Sequence, residues 1–213
     1  MKTTIYLIRH GESVGNQQRR FLGHTDLALT ELGHRQAENT ARFFDGIHLD
    51  KIFSSDLLRA YQTAEHTAER KGLLIERDRK LREIFAGKWE GRLFADLEVD
   101  FPDDYGVWLR DIGKAGCTGG ESVADLSRRI LAEVERIARE NEGKTVAIFT
   151  HATPIRIVKN AWDGNDVSAL VQTPWASNAS VTHAEYEDGA FRILAYGIDG
   201  FQKDSKTVLP KNC

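Results

Sequence analysis

The sequence predicts an α/β fold: a three-layer sandwich with a mostly parallel central sheet and helices on both faces. Three observations carry this. Ile5-Tyr6-Leu7-Ile8 and Val146-Ala147-Ile148-Phe149 are apolar runs without polar alternation, the pattern of strands buried on both faces. Such runs alternate with stretches whose apolar residues recur at helical spacing, which argues for parallel strands joined by helices. Several strands also run directly into chemically active residues, and open α/β sheets bind ligands outside the carboxyl ends of their strands.

The opening strand runs into Arg9-His10-Gly11, where glycine is expected to turn the backbone sharply and bring it close to whatever His10 faces. Val14 to Asp26 is polar, with Gly15, Asn16 and Gly23, and reads as a long loop. Thr30 is the expected N-cap of a helix reaching about Phe44. Lys51-Ile52-Phe53-Ser54 reads as a second strand. Ser55 is then placed to cap a helix from Asp56 to Lys71 whose apolar stripe includes Leu57, Ala60, Tyr61 and Ala64. Arg59 lies off that stripe. Leu73-Leu74-Ile75 is a short third strand, and Leu81 to Phe85 follows a charged turn.

Residues 87–120 are less regular, with Trp89, Trp108, Pro102 and several glycines. This insertion reads as a lid or a loosely packed flap within a single 1–213 domain. Ser122 with Asp125 resembles a capping box for a helix to about Asn141. Lys144 to Thr150 is the clearest central strand and stops at His151, with Pro154 suited to the first turn of the next helix. Val181–Tyr186 and Phe191–Tyr196 flank Asp188-Gly189, a hairpin signal. The tail from Ile198 is polar and reads as mobile.

A net charge of -3 over 213 residues leaves no broad positive field for nucleic acid or an acidic membrane. Any positive site must be local. Met1-Lys2-Thr3-Thr4 and the short apolar run after it do not make a signal peptide, and no stretch approaches a membrane span. Two cysteines, Cys117 and Cys213, are too few for a disulfide framework and are expected to be free thiols in the cytoplasm.

Arg9-His10, the Ser55–Arg59 helix start and His151 all fall at strand ends. Two imidazoles and two guanidinium groups around a helix N-terminus make an electropositive pocket suited to phosphate oxygens. A neutral imidazole there attacks phosphorus, since the arginines offset its target's negative charge. Asn16 adds a neutral donor, and Glu83 is the candidate acid for the leaving oxygen. Each residue has a plainer alternative: Arg59 as a solvated helix charge, Glu83 as a surface carboxylate, His151 as a loop histidine. Ser13 lies in Gly11-Glu12-Ser13-Val14-Gly15, which matches a hydrolase nucleophile elbow with His151 or His183 as base, although few residues precede it. No His-Glu-x-x-His or clustered Cys/His spacing suggests a metal.

Leu7-Ile8-Arg9-His10-Gly11-Glu12-Ser13 with Asn16 resembles the signature of the histidine phosphatase superfamily, the phosphoglycerate mutase-like branch. Ser54-Ser55-Asp56-Leu57-Leu58-Arg59-Ala60 with Gln62-Thr63-Ala64 resembles it too. Thr25-Asp26 with Leu29-Thr30, Leu81-Arg82-Glu83, Gly119-Gly120-Glu121-Ser122 and Thr150-His151 follow in the family's order. The resemblance runs from about Thr4 to Thr182. It implies a phosphoglycerate mutase-like sandwich, His10 as the phosphorylated nucleophile, and Glu83 as proton donor. It further implies that Arg9, Arg59 and His151 hold the phosphoryl group, that Asn16, Gly23 and Ala152 help bind it, and that no metal or other cofactor is needed. The implied substrate is a small phosphorylated metabolite.

Ala152-Thr153 stands where many relatives have a glycine pair. Leu22 replaces a threonine of the mutases, and their longer basic, Pro-rich insertion is missing. These departures favour a phosphomonoesterase over a cofactor-dependent mutase, with a non-catalytic binding domain as a further alternative.

Overall fold

The structure, a computed structural model, describes residues 1–207. Along them run β1 (Thr3–Arg9), α1 (Val14–Gln17), α2 (Glu31–Phe43), β2 (Lys51–Ser54), α3 (Leu58–Lys71), β3 (Ile75–Arg77), α4 (Phe94–Asp100), α5 (Pro102–Arg110), α6 (Val123–Glu140), β4 (Thr145–Thr150), α7 (Ala152–Trp162), β5 (Val181–Glu187) and β6 (Ala190–Ile198). Cys213 lies outside the described residues.

The strands form one sheet in the order β3-β2-β4-β1-β5-β6. The first four run parallel, and β5 and β6 close the other edge as an antiparallel hairpin. Its turn has Asp188 at φ 52° and Gly189 at φ 81°, the two left-handed positions that a two-residue hairpin loop needs.

The pleat of β1 divides the core. Ile5 and Leu7 share an apolar cluster with Leu126, Ile130 and Val134 of α6 and Ile155 of α7. Tyr6 and Ile8 meet Phe44 and the α3 residues Ala64 and Ala68 on the opposite face. The sheet is thus covered on both sides, as the unalternated runs require. Thr30 accepts from the Gly33 amide and Ser122 from the Asp125 amide, so both expected caps are formed.

Four local expectations need correcting. Val14–Gln17 is helical, because Ser13 and Asn16 complete a capping box inside the expected loop. The helix expected from Asp56 starts at Leu58 with no side-chain cap of its own. Instead its Leu58 amide donates to Asp26 Oδ1 at 2.6 Å. The third strand is Ile75–Arg77, displaced from Leu73-Leu74-Ile75, with Gly72 in the left-handed cap that ends α3. The tail is partly built in: Gln202 is buried and donates to the carbonyls of Gln36 and Ala179.

The 87–120 insertion is not loosely packed. Trp89, Leu97, Tyr105, Trp108 and Ile112 are buried members of the same cluster as Ile5 and Leu7. Trp89 is fully buried and meets Tyr105 and Trp108 edge to face.

Candidate active site

The carboxyl ends of β1, β2 and β4 open together. The His10 amide donates to the Thr150 carbonyl at 3.0 Å and the Ser55 amide to that of Phe149 at 2.9 Å. Three strand exits singled out independently therefore share one cleft, which holds about 550 Å³ including its open side. Its polar wall is Arg9, His10, Asn16, Arg20, Arg59, Glu83 and Thr153, with Ala152 beside them; the remainder is largely aromatic.

His10 Nδ1 lies 2.7 Å from the Gly11 carbonyl oxygen. A carbonyl only accepts, so Nδ1 carries the proton and Nε2 keeps a free lone pair. Burial, then the positive charges of Arg59 and Arg9, hold the His10 pKa well below the usual imidazole value. The ring is thus neutral, as a nucleophile must be. Gly11 does not have positive φ. It is glycine because a Cβ would sit 2.6 Å from the Gly33 carbonyl oxygen of α2, so close helix approach explains it rather than a sharp turn.

His151 lies beside His10, ring centroids 5.2 Å apart, and it is wholly buried. Burial and Arg59 push its pKa well down too. Its Nε2 is 2.8 Å from Ser55 Oγ, whereas the buried Nδ1 has no partner.

Arg59 is 1% exposed, which rules out the solvated helix charge. Its two terminal nitrogens donate to the carbonyls of Thr25 (3.0 Å) and Gly23 (2.9 Å). Burial brings its pKa down to about 10, so it stays cationic at neutral pH. Arg9 donates to the Ala176 carbonyl at 2.6 Å. Gly23 does not line the cleft. Its carbonyl orients Arg59, and a Cβ there would meet the Ile84 carbonyl oxygen at 2.4 Å. Asn16 spends its amide oxygen on the Ser13 amide, the Ser13 hydroxyl and Asn178, leaving Nδ2 to donate. Ala152 opens α7, and the next amide, that of Thr153, donates to Glu83 Oε2 at 3.1 Å, which places this helix N-terminus at the site, and helix N-termini favour anions.

Glu83 is a buried wall residue, not a surface carboxylate. Its oxygens accept from the Ile84 amide (2.8 Å) and the Thr153 amide (3.1 Å). Burial raises its pKa, and these amides and Arg59 offset only part of the rise. A carboxyl poised this way is suited to proton transfer.

Ser13 does not fit the elbow reading. It is fully buried, caps α1 and donates to Asn16 Oδ1 at 3.0 Å. His183 stacks on Tyr6 on the sheet, away from it.

Sequence reasoning missed three supporting side chains. The Glu90 carboxylate accepts from the amides of His24, Thr25 and Ala86, fixing the loop that holds Arg59. Arg129 pairs with Glu121 through two nitrogens and donates to the carbonyls of Lys80, Arg82 and Glu83. It thereby fixes the backbone that carries Glu83. Asn178 donates to the His10 carbonyl at 3.0 Å and to Asn16. All three act on backbone distant in sequence, which leaves no local pattern to find.

A sequence model of the histidine phosphatase superfamily (branch 1) matches residues 5–199. Phosphoserine phosphatase 1 of Hydrogenobacter thermophilus is 34% identical over 91% of this chain and 92% of its own. Among solved structures, YhfR of Bacillus stearothermophilus superposes with a TM-score of 0.90 at 31% identity, covering 93% of this chain and 98% of that one. A mycobacterial glucosyl-3-phosphoglycerate phosphatase gives 0.83 at 29% identity, covering 93% and 100%.

Proposed function

This chain belongs to the histidine phosphatase superfamily, branch 1, and from that premise we propose that it hydrolyses small phosphomonoesters through a phosphohistidine on His10. The observation that carries the mechanism is the cleft that brings together the neutral His10 imidazole, Arg9, Arg59 and a raised-pKa glutamate, with the buried, neutral His151 ring 5.2 Å from that of His10.

His10 Nε2 attacks phosphorus while the bond to the leaving oxygen breaks and Glu83 gives that oxygen its proton. Arg9, Arg59, the Asn16 amide, the Ala152 amide and His151 Nδ1 hold the phosphoryl oxygens, where negative charge is greatest. Water then attacks the phosphohistidine, Glu83 takes a proton from it, the N–P bond breaks, and phosphate leaves with Glu83 again protonated. The chain's own cations supply the charge stabilisation, so turnover is expected to persist in chelator.

Two of the relatives are named as phosphatases, and the basic insertion of the mutases is absent. Hydrolysis therefore takes precedence over isomerisation, and a site complete in nucleophile, acid and anion donors argues for an enzyme rather than a binding domain. No helix of the described residues is long and apolar enough to cross a membrane. We place the protein in the cytoplasm on its free, buried Cys117, with a phosphorylated metabolite rather than nucleic acid or lipid as partner.

Rapid mixing with a labelled phosphomonoester should leave acid-labile, base-stable label on the protein, lost in His10→Ala. Acid-stable label on Ser13 would overturn the assignment. Phosphoglycerate isomerised with little free phosphate would make the protein a mutase.

A further inference from the structure

We propose that the part of the cleft beyond the phosphoryl site is an aromatic subsite, and that the alcohol released carries a planar apolar group. This deepens the phosphatase reading and rests on it.

Leading away from Arg9, His10 and Arg59, the cleft is walled by Arg20, Phe21, Leu22, Phe94, Trp108 and Trp175. The aromatic rings are held by other groups before any ligand arrives. Phe21 meets Trp108 edge to face at 5.1 Å and Phe94 at 6.0 Å, and Trp108 and Phe21 are buried in the main core. Trp175 lies against the Arg156 guanidinium, 4.2 Å from its ring centroid. Arg156 is in turn pinned by the carbonyls of Thr173 (2.5 Å) and Val171 (3.1 Å). Rings fixed in this way stack on a planar group without losing further side-chain freedom.

The same wall is poor in what polar alcohols need. Among the described residues its only carboxylate is Glu83, already bonded to two amides and assigned to the leaving oxygen. Nothing else there takes the ammonium of a phosphorylated amino acid, and the wall offers few acceptors for the hydroxyls of a sugar. Groups buried without a partner weaken binding. Arg20, the cation on this side, is tied to the Gln18 side chain and the Gly91 carbonyl.

The test compares kcat/KM for propyl phosphate and 2-(1-naphthyl)ethyl phosphate, esters of primary alcohols with similar leaving-group basicity, and for O-phosphoserine. Binding of the matching propyl and naphthylethyl phosphonates, which cannot be hydrolysed, is followed by tryptophan fluorescence. The naphthyl ester should be preferred over propyl by roughly 30-fold or more, the effect of burying about 80 Å² of additional apolar surface. The naphthyl phosphonate should show the same preference, and in Phe94→Ala and Trp175→Ala the ratio should fall about fivefold to tenfold. Thermal denaturation identifies any variant that fails to fold. Turnover without the naphthyl preference, or phosphoserine ahead of the naphthyl ester, overturns the subsite. Selective phosphonate binding without turnover of any ester upholds the subsite and refutes the phosphatase reading instead.

Discussion

Among the described residues, Ser55 is the hydrogen-bond partner of the His151 ring. The Ser55 oxygen accepts from the Leu57 amide at 3.3 Å and lies 2.8 Å from His151 Nε2. Among the described contacts the hydroxyl proton has no acceptor other than Nε2, and we assign it there. That leaves the proton of His151 on Nδ1, the buried nitrogen with no protein partner. The ring then carries an N–H rather than a lone pair on that nitrogen.

Ser55→Ala should lower kcat/KM about tenfold, the effect of one positioned hydrogen bond, and weaken orthovanadate binding in proportion. Ser55→Thr, which keeps the hydroxyl, should retain most of both. Nitrogen-15 chemical shifts of the imidazole should show the Nδ1–H form in the parent and a tautomer mixture in Ser55→Ala. An unchanged Nδ1–H signal in that variant would remove the positioning role.

Glu83 should govern the basic limb of the pH profile. His10 works as the free base and its pKa lies well below 6.5, so kcat/KM falls on the acid side only as pH drops through that depressed value. Glu83 works as the acid with a raised pKa, so activity falls as pH rises through it. Glu83→Gln should cost about 10²–10⁴ with an alkyl phosphate and erase the basic limb seen with it, and should cost little with a nitrophenyl phosphate, whose phenolate leaves without a proton. The substrate's own ionisation is common to both enzymes and cancels in the comparison. Equal losses on both substrates would reassign the proton donor.

Gly11→Ala and Gly46→Ala should separate close approach from backbone freedom. The new methyl at Gly11 meets backbone of α2 at 2.6 Å, whereas nothing lies within 4 Å at Gly46. The first should lose about 1–3 kcal/mol of stability through overpacking and impair turnover, because it displaces the carbonyl that holds His10. The second should stay within about 1 kcal/mol of the parent. Urea denaturation measures both.

Orthovanadate, which takes the five-coordinate geometry of the transferring phosphorus, should inhibit competitively and raise the melting temperature; ligand at 100 times its Kd adds about 2.7 kcal/mol. EDTA should leave turnover unchanged. Loss of activity in EDTA, restored by a divalent cation, would contradict a site whose charge comes from Arg9 and Arg59.

The sheet centre and the candidate site residues were legible because both are local signals. Unalternated runs mark β1 and β4, Thr30 and Ser122 mark helix starts, and Asp188-Gly189 marks the hairpin. What could not be read depends on pairs far apart in the chain. Asp26 caps α3 from 32 residues away, which frees Ser55 for His151 and delays the helix start. The tail is held through Gln202 to Gln36 and Ala179, and Glu90, Arg129 and Asn178 act on distant backbone. No window of periodicity contains both partners of such a contact.

Trp108 belongs at once to the main core and to the cleft wall. Replacing a buried tryptophan by a small residue typically costs about 3–5 kcal/mol, a large share of the roughly 5–15 kcal/mol that holds a domain folded. Substrate choice here is therefore drawn from the same account as foldedness. A descendant that reshapes this wall to admit a different alcohol must first acquire stability elsewhere. Selection for new specificity should thus find Arg20, Leu22, Phe94 and Trp175, the less buried members of the wall, well before it finds Trp108.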